Sequence, residues 1–144
     1  IKLSIVGTGE YRHVLERRCH ELGLEAIVQF KGFCRRELLP NLYAQSDAFI
    51  LTSHSEAFGN VFAEAMACGL PVIGSDIGGI PDLIKEDTGI LVPPDDIDAI
   101  VRAILRLQHS KPLCGRMGHS CRERIMQEYQ WAHIARRFLA LYAS

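Results

Sequence analysis

Residues 47–79 read DAFILTSHSEAFGNVFAEAMACGLPVIGSDIGG. Asp47 to Ser53 is apolar almost without interruption, as a central strand of a parallel sheet is. His54 to Phe58 is a polar loop. Gly59 to Cys68 then carries apolar residues at helical spacing, and Gly69 stops the helix. PVIGS (Pro71 to Ser75) is a second apolar strand, followed by Gly78-Gly79. One strand, a helical crossover and another strand in so short a span define a βαβ unit.

The same alternation continues on both sides. Lys2 to Gly7 reads as a buried strand, with Gly7 and Gly9 making the turn into a helix from about Glu10 to Leu22, which Gly23 ends. Ala26 to Phe30 is a strand closed by Gly32. Arg35 to Gln45 is a helical turn and a short helix, with Pro40 near its start, where proline is tolerated. After Gly78-Gly79 come a short helix to about Lys85, a strand from Thr88 to Val92 and a helix from Ile97 to Gln108. Helices over Cys114–Tyr129 and Trp131–Tyr142 complete the chain, with Trp131 expected to anchor the last one to the core. Five alternations predict an α/β, Rossmann-like three-layer domain with a mostly parallel sheet. Such a sheet binds ligands at the carboxyl ends of its strands, where the loop carrying Glu56 falls.

The length of 144 residues fits a single domain over 1–144, and 48% hydrophobic residues suffice for a core. A net charge of −1 with interspersed signs gives no reason to expect a nucleic-acid partner. The five cysteines form no CxxC pair, so a reducing, cytoplasmic setting is expected rather than a disulfide scaffold. No apolar run approaches the roughly 20 residues of a membrane span. Ile1 already lies inside an apolar run, as in a piece of a longer protein.

Several motifs have an ordinary structural explanation. Gly7-Thr8-Gly9 lacks the third glycine of a dinucleotide fingerprint, because Arg12 holds that position. It is a tight turn that can also lie beside a diphosphate. Asp96-Ile97-Asp98 has the spacing of a metal-binding D-x-D, but it follows Pro93-Pro94 and opens a helix, where aspartates cap free N–H groups. Cys114, His119 and Cys121 match no standard zinc spacing, and no metal is expected.

Glu56 and Glu64 stand eight positions apart around Phe58-Gly59-Asn60. Asn60 and Glu64 share a helix face, and helical side chains lean toward the N-terminus, so Glu64 points back toward the ligand side. Glu56 stands before the helix, with His54 two residues earlier. The structural alternative is that Glu56 caps the helix and Glu64 is a satisfied surface acid. Helix-start N–H groups meet phosphate, Gly59 lets backbone approach closely, and carboxylates accept hydrogen bonds from sugar hydroxyls. Together they point to a nucleotide-sugar donor.

The stretch from Thr52 to Ile84, then TGILVPPDD (Thr88 to Asp96), Arg116 to Gly118, Gly7 to Glu10 and VQFKGF (Val28 to Phe33) resemble the C-terminal, donor-binding domain of retaining GT-B glycosyltransferases, family 4 (glycosyl transferases group 1). Glu56 and Glu64 match that family's E-x7-E signature. The resemblance implies that Glu64 binds the ribose hydroxyls, that Glu56 serves catalysis beside the donor sugar, and that Phe58, Gly59, Asn60 and Val61 meet the sugar and diphosphate. Gly7 and Gly9 would lie near the diphosphate, Gly32 and Phe33 would flank the base, and His54 is a further candidate contact. The donor would be a nucleoside-diphosphate sugar, transferred with retention and without a metal or other cofactor.

The resemblance also implies an N-terminal acceptor domain, and a first strand and helix bearing basic residues that clamp the diphosphate; none of these is in this sequence. The chain alone is therefore expected to lack useful turnover. Without the central first strand of a 3-2-1-4-5-6 order, either the sheet closes directly or another chain, including a second copy, completes its unpaired edge. The acceptor domain would be supplied by a longer chain or a partner, and could bring the protein to the inner face of a membrane. The alternatives are a standalone nucleotide-binding or assembly module without catalysis and a nucleotide-sugar epimerase-like domain.

Overall fold

The computed structural model describes residues 1–142. By its internal contacts the chain divides into two compact units, Ile1–Leu39 and Pro40–Ser144.

In the first unit, strands β1 (Leu3–Val6) and β2 (Val28–Gly32) pair in parallel around helix α1 (Arg12–Glu21). The Gly7 N–H donates to the Gly32 carbonyl at 2.8 Å and extends the ladder past β1. Both glycines have positive φ, 127° and 70°, a conformation that glycine adopts without the Cβ clash of other residues. β2 begins two residues later than its apolar run suggests. The Ile27 and Val28 N–H groups both donate to the Leu24 carbonyl, closing a turn where the strand was expected to start. A 3-10 turn at Arg36–Leu38 leads to α2 (Leu39–Ala44).

The second unit holds β3 (Phe49–Leu51), β4 (Val72–Ser75) and β5 (Gly89–Val92), parallel and in that order. The crossovers are α3 (Asn60–Ala67) and α4 (Ile80–Leu83). β4 is buried along its whole length, whereas all three residues of β3 are only half-buried. That contrast follows from neighbours: β4 pairs on both sides, through Phe49↔Val72 and Val72↔Gly89, and β3 on one.

Helix α5 (Ile97–Gln108) places Ala99, Ile100, Ala103, Ile104 and Leu107 on one face, against Ile73 and Val92 of the sheet and Met117 of α6 (Lys111–Glu128). α6 begins three residues before the expected Cys114. The Ser110 hydroxyl accepts the Leu113 N–H at 3.3 Å, and Pro112 sits in the first turn, where its missing N–H has no intrahelical acceptor to lose.

The described strands form a two-stranded ladder in the first unit and a three-stranded one in the second. One expectation is corrected. Trp131 does not anchor the last helix, α7 (Trp131–Tyr142), to the core, because it is 85% exposed and α7 buries no side chain. Tyr129, two residues earlier, is half-buried, and its ring lies 5.7 Å from that of Phe58. No described helix is long and apolar enough to cross a membrane.

Candidate functional site

The loop from Thr52 to Gly59 leaves the carboxyl end of β3 and enters α3. Its conformation is set at Gly59, where φ is 81° and ψ is 57°. A Cβ there would lie 2.7 Å from Cδ2 of Phe62, whose side chain is wholly buried. Glycine thus serves two needs at one position, a left-handed backbone and room for the Phe62 ring. Phe62 meets Phe49 of β3 edge to face, with centroids 5.3 Å apart, and so ties the start of α3 to the strand that feeds the loop.

Glu56 folds back on this turn. Its Oε1 accepts the Gly59 N–H at 3.1 Å, which orients the carboxylate beside the helix start. The next N–H groups, of Asn60 and Val61, belong to the first turn and have no intrahelical acceptor. A negative group is favoured there by those donors and by the helix dipole.

From the other side the Gly78-Gly79 turn meets the loop backbone. A Cβ at Gly78 would lie 2.0 Å from the Glu56 carbonyl oxygen, and one at Gly79 would lie 2.2 Å from that of Ala57. The glycine pair was legible as a helix opening. Its contact with the Glu56 loop was not, since nothing in the spacing joins the two.

Glu64 is half-buried, one helical turn beyond Asn60 on α3. Below it, desolvation raises the Cys68 thiol pKa, opposed by the Arg122 charge and reinforced by Glu64. α3 is held from behind by α6: a Cβ at Gly118 would lie 2.1 Å from the Gly69 carbonyl oxygen.

His54 is exposed, with Nε2 3.5 Å from Oδ1 of Asp95 in the loop after β5. Asp95, with φ of 61°, is the non-glycine residue of positive φ among the described residues. Asp96 accepts the Ala99 N–H through Oδ1 at 2.8 Å, so it caps α5, as its position at a helix start suggests. No group of three or more His, Cys, Asp or Glu that could hold a metal ion occurs among the described residues. An open cavity of about 380 Å³, lined by Gln127, Glu128, His133, Arg136 and Arg137, shares no residue with the loop. Gly7, Gly9, Gly32 and Phe33 lie in the first unit, where Gly7 and Gly32 are bonded to each other and Phe33 is 75% exposed.

The sequence pattern of glycosyl transferases group 1 matches residues 1–124. The chain belongs to that family. It is 34% identical over 142 residues to an uncharacterized glycosyltransferase of Methanocaldococcus jannaschii, covering 98% of this chain and 36% of that protein. Sucrose-phosphate synthase from Thermosynechococcus elongatus superposes with a TM-score of 0.88 at 35% identity, covering 99% of this chain and 38% of the other. Anabaena HepE, solved in complex with UDP-glucose, superposes with a TM-score of 0.88 at 27% identity, over 99% and 40%. This group 1 chain thus spans little more than a third of the length of these proteins. Its fold is the Rossmann-like α/β architecture of the C-terminal domain of GT-B glycosyltransferases.

Proposed function

We propose that this chain is the donor-binding part of a glycosyltransferase that takes a nucleoside-diphosphate sugar as donor. The observation that carries the reading is the Glu56–Gly59 turn, a carboxylate held beside the first N–H groups of α3 at the carboxyl end of a parallel strand. The N–H groups suit the diphosphate, Glu56 suits the sugar hydroxyls, and Glu64, one turn along, suits the ribose. The structure of HepE with UDP-glucose supports this choice of donor by similarity of fold.

Gly7, Gly9, Gly32 and Phe33 of the first unit join the donor contacts through the family resemblance. Together with an acceptor-binding domain, the protein transfers the sugar with retention and without a metal cofactor. The bond from the anomeric carbon to the diphosphate breaks, and the diphosphate leaves with the electron pair. The acceptor oxygen bonds to the same face and its proton passes to the leaving phosphate oxygen. Donors at the helix start stabilise the charge that develops there. The chain by itself binds donor weakly and does not turn over, and it works in the cytoplasm.

Calorimetric titration with UDP, GDP and ADP and their sugar conjugates tests the reading. One nucleotide family should bind, Glu64→Ala should weaken nucleotide and conjugate alike, and Glu56→Ala should weaken chiefly the conjugate. Phe33→Ala tests the contribution of the first unit. Absence of binding at millimolar ligand overturns the reading, and sustained transfer from labelled donor by this chain alone overturns the claim that it needs an acceptor domain.

A further inference from the structure

Two contacts meet the Glu56 loop, and one comes from far along the chain. Gly78 and Gly79 lie against the carbonyls of Glu56 and Ala57. The Tyr129 ring lies 5.7 Å from Phe58 at an interplanar angle of 47°. Tyr129 is the C-cap residue of α6, its backbone N–H bonded to the Ile125 carbonyl at 3.1 Å. Its hydroxyl donates to the Asp82 carbonyl at 3.2 Å. Arg124, one turn earlier, donates to the same carbonyl at 3.1 Å, sets its guanidinium 5.9 Å from the Tyr129 ring centroid and pairs with Glu128 at 3.1 Å. Asp82 belongs to α4, the helix that Gly79 opens. The glycine turn and the tyrosine therefore belong to one hydrogen-bonded block, which meets the loop at Glu56, Ala57 and Phe58.

We propose that Tyr129 is a positioning residue for donor binding, holding Phe58 and with it the backbone from Glu56 to Gly59, while Arg124 fixes the tyrosine on α4. The role rests on the donor-binding reading for its consequence, but not for its mechanics. Tyr129 lies beyond the segment that the family's sequence pattern matches. The hydroxyl and the ring have separable tasks: the hydroxyl locks the side chain to Asp82, and the ring bears on Phe58.

The test uses the whole chain with Tyr129→Ala and Tyr129→Phe. Hydrogen exchange without ligand should show the Gly59 amide, which is bonded to Glu56, exchanging about tenfold faster in Tyr129→Ala, with the β4 amides unchanged. Tyr129→Phe should show a smaller acceleration. In calorimetry, Tyr129→Ala should raise Kd about tenfold for whichever of UDP-glucose, GDP-glucose and ADP-glucose the wild type binds, an effect the size of one aromatic contact. Kd for the matching monophosphate (UMP, GMP or AMP), which lacks the sugar and the second phosphate, should stay within about twofold. A lowered melting temperature with unchanged loop exchange would make Tyr129 a packing residue only and overturn the proposal. So would equal weakening of the monophosphate and the nucleotide sugar. If Tyr129→Ala does not fold, Tyr129→Phe decides by the same two readouts. If the wild type binds no nucleotide sugar, the donor reading fails, and the exchange measurement still judges the grip on the loop.

Discussion

Gly78 packs so closely on Glu56 that a Cβ at position 78 would stand 2.0 Å from the Glu56 carbonyl oxygen. The obstacle is backbone, so no side-chain rotation relieves it. Gly78 also has a φ of 51°, where an L side chain adds strain. Gly78→Ala should therefore destabilise the protein by about 2–4 kcal/mol in urea denaturation and displace the Glu56 carboxylate from the Gly59 N–H. Unchanged stability would mean that the two loops separate easily and that the glycine turn does not hold the candidate site.

Two glycines on α6 should respond in opposite directions. Gly115 is exposed, with nothing within 4 Å of the place a Cβ would take, whereas at Gly118 a Cβ would lie 2.1 Å from the Gly69 carbonyl oxygen. Gly115→Ala should stabilise by about 0.5–1 kcal/mol, the ordinary helix-propensity gain. Gly118→Ala should push α6 off the turn that ends α3 and cost about 2 kcal/mol or more. Thermal unfolding of the two variants checks the sign of each.

The sequence exposed the fold where burial is symmetric and missed it where partners are distant. Val72 to Ser75 was readable because a strand paired on both sides must be apolar throughout. The start of α6 was missed because Pro112 resembles a breaker until Ser110 is seen capping the first turn. The loop acids could be picked out from Glu56, Gly59 and Glu64, and the bond from Gly59 to Glu56 realises part of the capping alternative. Tyr129 was invisible as a neighbour of Phe58, because no periodicity relates positions so far apart. Trp131 drew the attention instead, as the larger aromatic, although it faces solvent.

The D-x-D spacing at Asp96 and Asp98 can be separated from metal binding by one substitution. Asp96 Oδ1 takes the Ala99 N–H at 2.8 Å, and its Oδ2 lies 3.9 Å from Arg102. Asp96→Ala should cost about 1 kcal/mol, the usual loss of an N-cap, while Asp96→Asn or Asp96→Ser should recover most of it. Nucleotide affinity in the presence and absence of magnesium should be the same in wild type and Asp96→Ala. A magnesium-dependent affinity abolished by Asp96→Ala would show that the pair binds metal.

Cys121 gives the protein an alkaline liability. Its side chain is fully buried and donates to the Thr88 carbonyl at 2.9 Å. Burial, reinforced by the charge of Asp87, pushes the thiol up to about 12 from its ordinary value of 9.0. Between these values the unfolded chain has released the thiol proton and the folded chain still holds it, so the native state binds more protons and stability falls as pH rises. The contribution is fully present below about pH 9 and is lost progressively toward pH 12, at no more than about 1.4 kcal/mol per pH unit. Lysines and tyrosines titrate in the same window, so the measurement is the difference between wild type and Cys121→Ala in denaturant unfolding at several pH values. That difference should be flat below about pH 9 and move against the wild type above it. A parallel course for both proteins would show that the Cys121 thiol ionises as readily in the fold as in the unfolded chain.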